Sequence, residues 1–565
     1  MKKLTWIVLA LLLTLGALAL PAAAQDEAHS LAQYFPEQTR LYMEFRTDED
    51  TLQTLDALVT KVAELIPNSD MSASLMEMVD EGLAKMTPDG SFATTVRPWL
   101  GDMAALGVTE FDPDNMSNIS ENVTVAIAIT DQAGAEDFFA LAPDIDQYTV
   151  EAGDGYTLYT PNGSNPDNPT LIFRSDVILL TSSAALAETG GIIDAPLSGN
   201  AAFSTALNLL PEASYPMSAY IDTPAFLDAV IQQADNIDAA EMAIMNPLLD
   251  LLQPQAIGLT LLDDRSLVMD IASPSAPDTG TSLAMGGSTP IDPAFAQYIP
   301  ANTPFVIQSA NLYGTYQATL ENLRSFAEMT DTSGGSTNRQ QMRMITFGIN
   351  FVVQGLTGLS SEEALGWMTG DYAFAVGLTP AFADSRNLMS ASQSLPVDFA
   401  LMLEVTDADA AQALYDGLSE SLSGLDTDTV SVTATDDAIE VTLTPDNSPF
   451  PIHLMIAHND AVFVIGTERM VTAALDPQNG LDTDANYTAA SGYFLDGANT
   501  VLYLSADGLR PLTRVMINES NSSDVRSSGR DLKTALGLFD SVSISSATLP
   551  ENAGLLARLV WTLPE

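Results

Sequence analysis

Few side chains in this sequence could transfer a proton, attack a bond or hold a metal once their neighbours are considered. Three histidines occur, His29, His453 and His458. The last two lie five positions apart in a segment of strand-like alternation, which sends them to opposite faces and prevents both from holding one ion. There is no cysteine, which excludes thiol nucleophiles, thiolate metal sites and disulfides. Serine nucleophile patterns of the G-x-S-x-G or S-x-x-K kind do not occur. The nearest, "GTSLA" from Gly280, lacks the second glycine. Neither a G-x-G-x-x-G turn nor a G-x-x-x-x-G-K loop is present to cradle a phosphate.

Carboxylates are the abundant chemical group, 74 Asp and Glu against 20 Lys and Arg. Two acids about 5 to 9 Å apart across a bond would suffice for glycoside hydrolysis, but no pair stands out from so many. Two clusters begin as oxygen-ligand loops for calcium: Asp482, Asp484 and Asn486, and Asp112, Asp114 and Asn115. Each lacks the loop's central glycine and its closing glutamate, with Tyr493 and Val123 standing at the twelfth position. Both read as turn-forming Asp/Asn clusters. On these grounds no catalytic, cofactor-binding or metal-binding residue is assigned, and no cofactor is expected.

The elements that would position any site are easier to read, because the chain says many things twice. "YFPEQTRLYMEF" (Tyr34 to Phe45) is echoed by "YIPANTPFVIQS" (Tyr298 to Ser309), and both lead into apolar residues at helical spacing. "PWLGDMAALGV" from Pro98 is matched by "GWMTGDYAFAVGL" from Gly366, placing Trp99 and Trp367 in equivalent core-like positions. A strand then runs into Thr130-Asp131 in one half and Thr406-Asp407 in the other, each where a helix N-cap belongs. Two hairpins follow in each half, turning at Gly153-Asp154-Gly155 and Ser175-Asp176, and at Asp436-Asp437 and Asn459-Asp460. The expected fold is α+β: two homologous copies, each a mainly antiparallel sheet with helices packed on one face. Residues 31–272 form the first copy, 273–290 a Pro/Gly/Ser/Thr-rich linker and 291–565 the second. "NESNSSDVRSSGR" from Asn518 reads as a loop.

Residues 1–24 read as a signal peptide, with Lys2 and Lys3, an apolar run from Leu4 to Leu20 and a small-residue cleavage site before Gln25. The formal charge is −54. Loss of Lys2 and Lys3 would leave 18 basic against 74 acidic residues, or −56. Such a surface repels phosphate backbones and anionic headgroups, so no nucleic-acid partner is expected, and no membrane insertion once the signal is cleaved. Cations or a basic envelope partner suit it better.

With its leader, the Pro-led strand and helix of Pro36 to Glu64 and the W-x-G-D-like turn of Trp99 to Val108, the chain resembles a family of exported bacterial proteins known only as domain of unknown function thirty-three fifty-two. The second copy departs from that turn by Thr369 within "WMTGD". The resemblance implies export and fold kinship, and it carries no functional residues. The sequence is thus read as an exported non-enzymatic protein, secreted or on the extracellular face of the cell envelope, that binds or scaffolds. The alternatives are a secreted hydrolase using paired carboxylates on glycan or peptide, and a calcium-dependent envelope protein.

Overall fold

The computed structural model describes residues 30–65, 74–84, 90–110, 122–142, 145–163, 168–212, 214–233, 252–261, 265–275, 289–331, 350–379, 382, 397–423, 425, 427, 429–435, 437–444, 451–519, 522–550 and 553–564. The leader, His29, the Asp112 cluster, "GTSLA" and most of the proposed linker lie outside them. The chain divides into two compact units, Met1–Ser282 and Leu283–Glu565.

In the first unit the order is β1 (Leu41–Arg46), α1 (Glu49–Leu65), α2 (Leu75–Ala84), β2 (Leu100–Val108), β3 (Val123–Ile129) and α3 (Gln132–Phe139). The hairpin strands follow: β4 (Tyr148–Ala152), β5 (Tyr156–Pro161), β6 (Thr170–Arg174) and β7 (Val177–Thr181). Then come α4 (Ala184–Glu188), α5 (Ala201–Leu207), β8 (Met217–Ile221), α6 (Thr223–Gln233), β9 (Gln255–Leu261) and β10 (Ser266–Pro274). Every pairing is antiparallel, and the strands lie in the order 4-5-6-7-3-2-1-8-9-10.

The second unit starts with β11 (Phe305–Ala310), α7 (Leu312–Asp331), α8 (Ser361–Leu365), β12 (Asp371–Leu378), β13 (Val397–Glu404) and α9 (Ala408–Ser423). It continues with β14 (Val430–Ala434), β15 (Ile439–Leu443), β16 (Ile452–His458), β17 (Val462–Gly466), α10 (Glu468–Leu475) and α11 (Ala485–Ser491). It ends with β18 (Thr500–Ser505), α12 (Ala506–Glu519), α13 (Ser523–Ala535), β19 (Ser541–Thr548) and β20 (Gly554–Thr562). Its pairings are again antiparallel, in the order 14-15-16-17-13-12-11-18-19-20. Subtracting ten from each number reproduces the first unit.

The echoing prolines do the same work in both units. Pro36 bridges Pro196, and the Leu197 amide donates to the Phe35 carbonyl at 2.7 Å. Pro300 bridges Gly480, and the Leu481 amide donates to the Ile299 carbonyl at 2.7 Å. The Thr39 and Thr303 hydroxyls close each turn by donating to the Pro36 and Pro300 carbonyls. Of the expected caps, the Asp131 carboxylate accepts from the Ala133 amide and the Asp407 carboxylate from the Ala410 amide, each at 3.1 Å. These contacts satisfy first-turn amides that the helix itself leaves unpaired.

Helices cover both faces of each sheet, which corrects the expectation of a single covered face. In β1, Tyr42 packs edge-on against Phe35 and against Phe203 of α5, while Phe45 belongs to a core that includes Leu52 and Leu55 of α1 and Phe138 and Phe139 of α3. In the second unit Met402 and Val464 share a core with Met470 of α10 and Tyr487 of α11. Their neighbours Leu403 and Phe463 point the other way, to Ala364 of α8 and Leu414 of α9. Successive strand residues face opposite sides, so a strand buried throughout needs cover on both. Val462, Phe463 and Val464 are all fully buried, as are Val177, Ile178 and Leu179.

Candidate anion-binding cleft

The described residues hold one concentration of positive charge. Five of the chain's 20 Lys and Arg lie in the thirty positions of Ala506–Ala535, as Arg510, Arg514, Arg526, Arg530 and Lys533. The sequence between Thr223 and Asp264, which follows β8 in the first unit as α12 and α13 follow β18 in the second, contains no Lys or Arg.

Two helices carry the cluster. The loop expected from Asn518 to Arg530 is instead largely α13, whose first turn is capped by the Ser522 hydroxyl accepting from the Val525 amide. The helix is held by close packing at Gly529. A Cβ there would lie 2.7 Å from the Met516 Cβ and 3.0 Å from Ile517 on α12, so only glycine allows the two backbones this approach. Beside that contact lies a cavity of about 450 Å³ lined by Arg510, Thr513, Arg514, Asn518 and Lys533, with Ile517, Leu536 and Gly537 completing the wall.

The cations differ in how far they are already engaged. Arg510 donates from Nη1 to Asp507 at 2.5 Å, and its Nη2 lies 3.9 Å from Asp540. Arg514 and Lys533 are exposed and have no carboxylate partner among the described residues. The Thr513 hydroxyl is committed to the Arg510 carbonyl, 2.8 Å. Two cations with no carboxylate partner among the described residues line one cavity, an arrangement chemically able to accept an oxyanion, since charge-assisted hydrogen bonds are the strong ones and a guanidinium offers paired donors.

The residues weighed from sequence are placed elsewhere. His453 is exposed on β16, with Nδ1 3.1 Å from the Thr442 hydroxyl, while His458 packs against Tyr415 and stacks on Phe463. Asp484 caps α11, accepting from the Asn486 and Tyr487 amides at 3.0 and 3.1 Å. The Asn486 side chain donates to Asp507 at 3.3 Å. Trp99 and Trp367 are core residues, 5% exposed each. Among the described residues no group of three or more His, Asp or Glu is arranged to hold a metal, and no helix is long and apolar enough to cross a membrane.

A family model described as "Protein of unknown function (DUF3352)" matches residues 4–551. The chain belongs to the DUF3352 family. No curated protein and no solved structure matches it.

One further titratable cluster, unlike the cleft, is closed. Asp371, at the start of β12, is buried, and its Oδ2 accepts from Gln308 Nε2 at 2.7 Å and from the Asp292 amide at 2.9 Å. Its own amide donates to Glu404 at 2.8 Å. Burial pushes its carboxyl up to about 6, with the Glu404 and Asp292 charges adding to the effect and the two hydrogen bonds opposing it. A carboxyl raised by folding favours the folded state below its unfolded value near 4, and this contribution is lost as pH rises through about 6. Asp371→Asn keeps an oxygen for both donors and cannot ionise. Relative to that variant, the wild type is expected to lose about 1–2 kcal/mol between pH 4 and pH 7, after discounting for solvent screening. Urea melts of both proteins across that range test this, and parallel pH profiles would refute it.

Proposed function

We propose that this chain is an exported, non-enzymatic binding protein that takes an anionic ligand in the cleft between α12 and α13. The observation that carries the reading is the convergence of Arg510, Arg514 and Lys533 on one cavity in a chain of net charge −54. The cavity wall holds three cations and no acid, although Asp507 already pairs with Arg510. The reading includes a duplication: two copies of one ten-stranded unit with the same strand order. The polar residues that recur at matched positions, Thr39 with Thr303 and Asp131 with Asp407, spend their hydrogen bonds on backbone groups and support the fold. The cationic cluster recurs nowhere in the sequence of the first unit, so function belongs to what the second copy has acquired.

The test is calorimetric titration of the full chain with tripolyphosphate at 0.15 M salt, beside an Arg514→Ala/Lys533→Ala double variant. Saturable one-to-one binding is expected, weakened at least about tenfold in the variant. Equal binding by both proteins would remove the cleft as the site. Export predicts a mature N-terminus near Gln25 when the protein is recovered from its own host, and a chain still starting at Met1 would overturn it.

A further inference from the structure

We infer that the cleft is the inner end of a longer track that takes a linear chain of phosphoryl groups; this rests on the anion-binding reading above. On α13 the cations Arg526, Arg530 and Lys533 stand at i, i+4 and i+7. At about 100° per residue the three fall within roughly 60° of one another around the axis. Asp524 and Asp531, the acids of the same helix, lie roughly 140–160° from Arg526. The stripe therefore carries no acid of α13 itself, and it extends about 10 Å along the axis from Arg526, which is already engaged by another residue, to Lys533.

Position makes the stripe continuous with the cleft. Gly529, which meets Met516 and Ile517, falls within about 60° of Arg526 on the wheel. Arg526 and Lys533 thus stand beside the groove between α12 and α13, with Arg530 about 100° from Gly529 on its outer flank, and Lys533 lines the cavity with Arg514. Arg530 and Lys533 are exposed and Arg526 is partly covered. Arg530 stands one turn from Lys533 and does not line the cavity.

The geometry favours phosphoryl groups over carboxylates. The cations approach from two helices, so the ligand must accept hydrogen bonds from more than one side. A tetrahedral phosphoryl group presents oxygens in several directions, whereas a planar carboxylate presents both of its oxygens along one edge. The chain's overall charge opposes the approach of any polyanion, but at 0.15 M salt that repulsion is screened beyond about 8 Å, which leaves the local cations to decide binding.

The experiment compares inorganic phosphate, tripolyphosphate, long-chain polyphosphate, polyglutamate and a ten-residue oligothymidylate on the full chain, with Arg530→Ala as the variant. Arg530 does not line the cavity, and alanine at an exposed helical position preserves the helix. Long-chain polyphosphate is expected to bind at least about tenfold tighter than tripolyphosphate. Arg530→Ala should weaken only the long ligand, lowering its salt slope by about one. Oligothymidylate binding as tightly as polyphosphate would support the track and assign its phosphoryl groups to diesters. Equal affinity for tripolyphosphate and polyphosphate, or for polyglutamate and polyphosphate, would overturn the track while leaving the cleft. Binding of none of these anions would overturn the anion-binding reading itself.

Discussion

Replacing Trp367 by Ala is expected to destabilise the second unit by about 3–5 kcal/mol, the range for deleting a large buried aromatic side chain, and Trp99→Ala should do the same in the first. Trp367 packs 5.9 Å from Phe463, and Trp99 sits 5.3 Å from Phe138 and 6.3 Å from Phe139. The informative comparison is with phenylalanine. The Trp99 indole N–H donates to the Thr95 carbonyl at 2.8 Å, whereas the Trp367 indole N–H is buried with no partner among the described residues. Trp99→Phe therefore loses a hydrogen bond as well as volume, while Trp367→Phe removes a polar group that was already unsatisfied. The first should cost about 1 kcal/mol more than the second, by chemical denaturation of the two single variants. An equal or reversed order would show that the indole nitrogens do not set the difference.

Gly466→Ala is the other severe case. Gly466 ends β17 opposite Ala400 of β13, and a Cβ there would lie 2.3 Å from the Phe399 carbonyl oxygen and 2.6 Å from the Ala400 Cβ. The first obstacle is backbone, so relief requires the strands to part. Among the described residues the β13–β17 pairing alone ties the four hairpin strands β14–β17 into the sheet. The first unit holds Thr124 and Thr181 at the same register, their hydroxyls 2.8 Å apart. That separation has room for side chains which the second sheet lacks. We expect about 3 kcal/mol of destabilisation, the upper end for overpacking, and early loss of hydrogen-exchange protection in β14–β17. Wild-type protection in those strands would refute the account.

Most of the fold was legible because its signals are local. Alternation marks the strands, Asp131 and Asp407 mark helix starts, and Asn459 marks a hairpin by accepting from the Ala461 and Val462 amides. The two-sided helix cover is also written in the sequence, in strands such as Val177–Thr181 that are apolar at consecutive positions and so need cover on both faces. The sequence hides α13 because its three Ser and one Gly are poor helix formers, and the packing of Gly529 on α12, which holds it, is a contact that the segment's own residues do not show. The cleft was missed for the same reason. Its cations come from two helices and are spaced in sequence like any solvated helix face, so only their convergence on one cavity distinguishes them.

The strand order also carries a kinetic consequence. β1 is the first strand of its sheet to be made, yet it lies in the interior, and Phe45 pairs with Met217 near the far end of the unit. β11 likewise waits for β18, Phe305 for Leu504. The entropy of closing these long loops must be met before the pairing rewards it, which places folding at the slow end, on the order of milliseconds to seconds. Until β8 or β18 arrives, β1 or β11 is left with one open flank, an edge to which another chain could add in the interval.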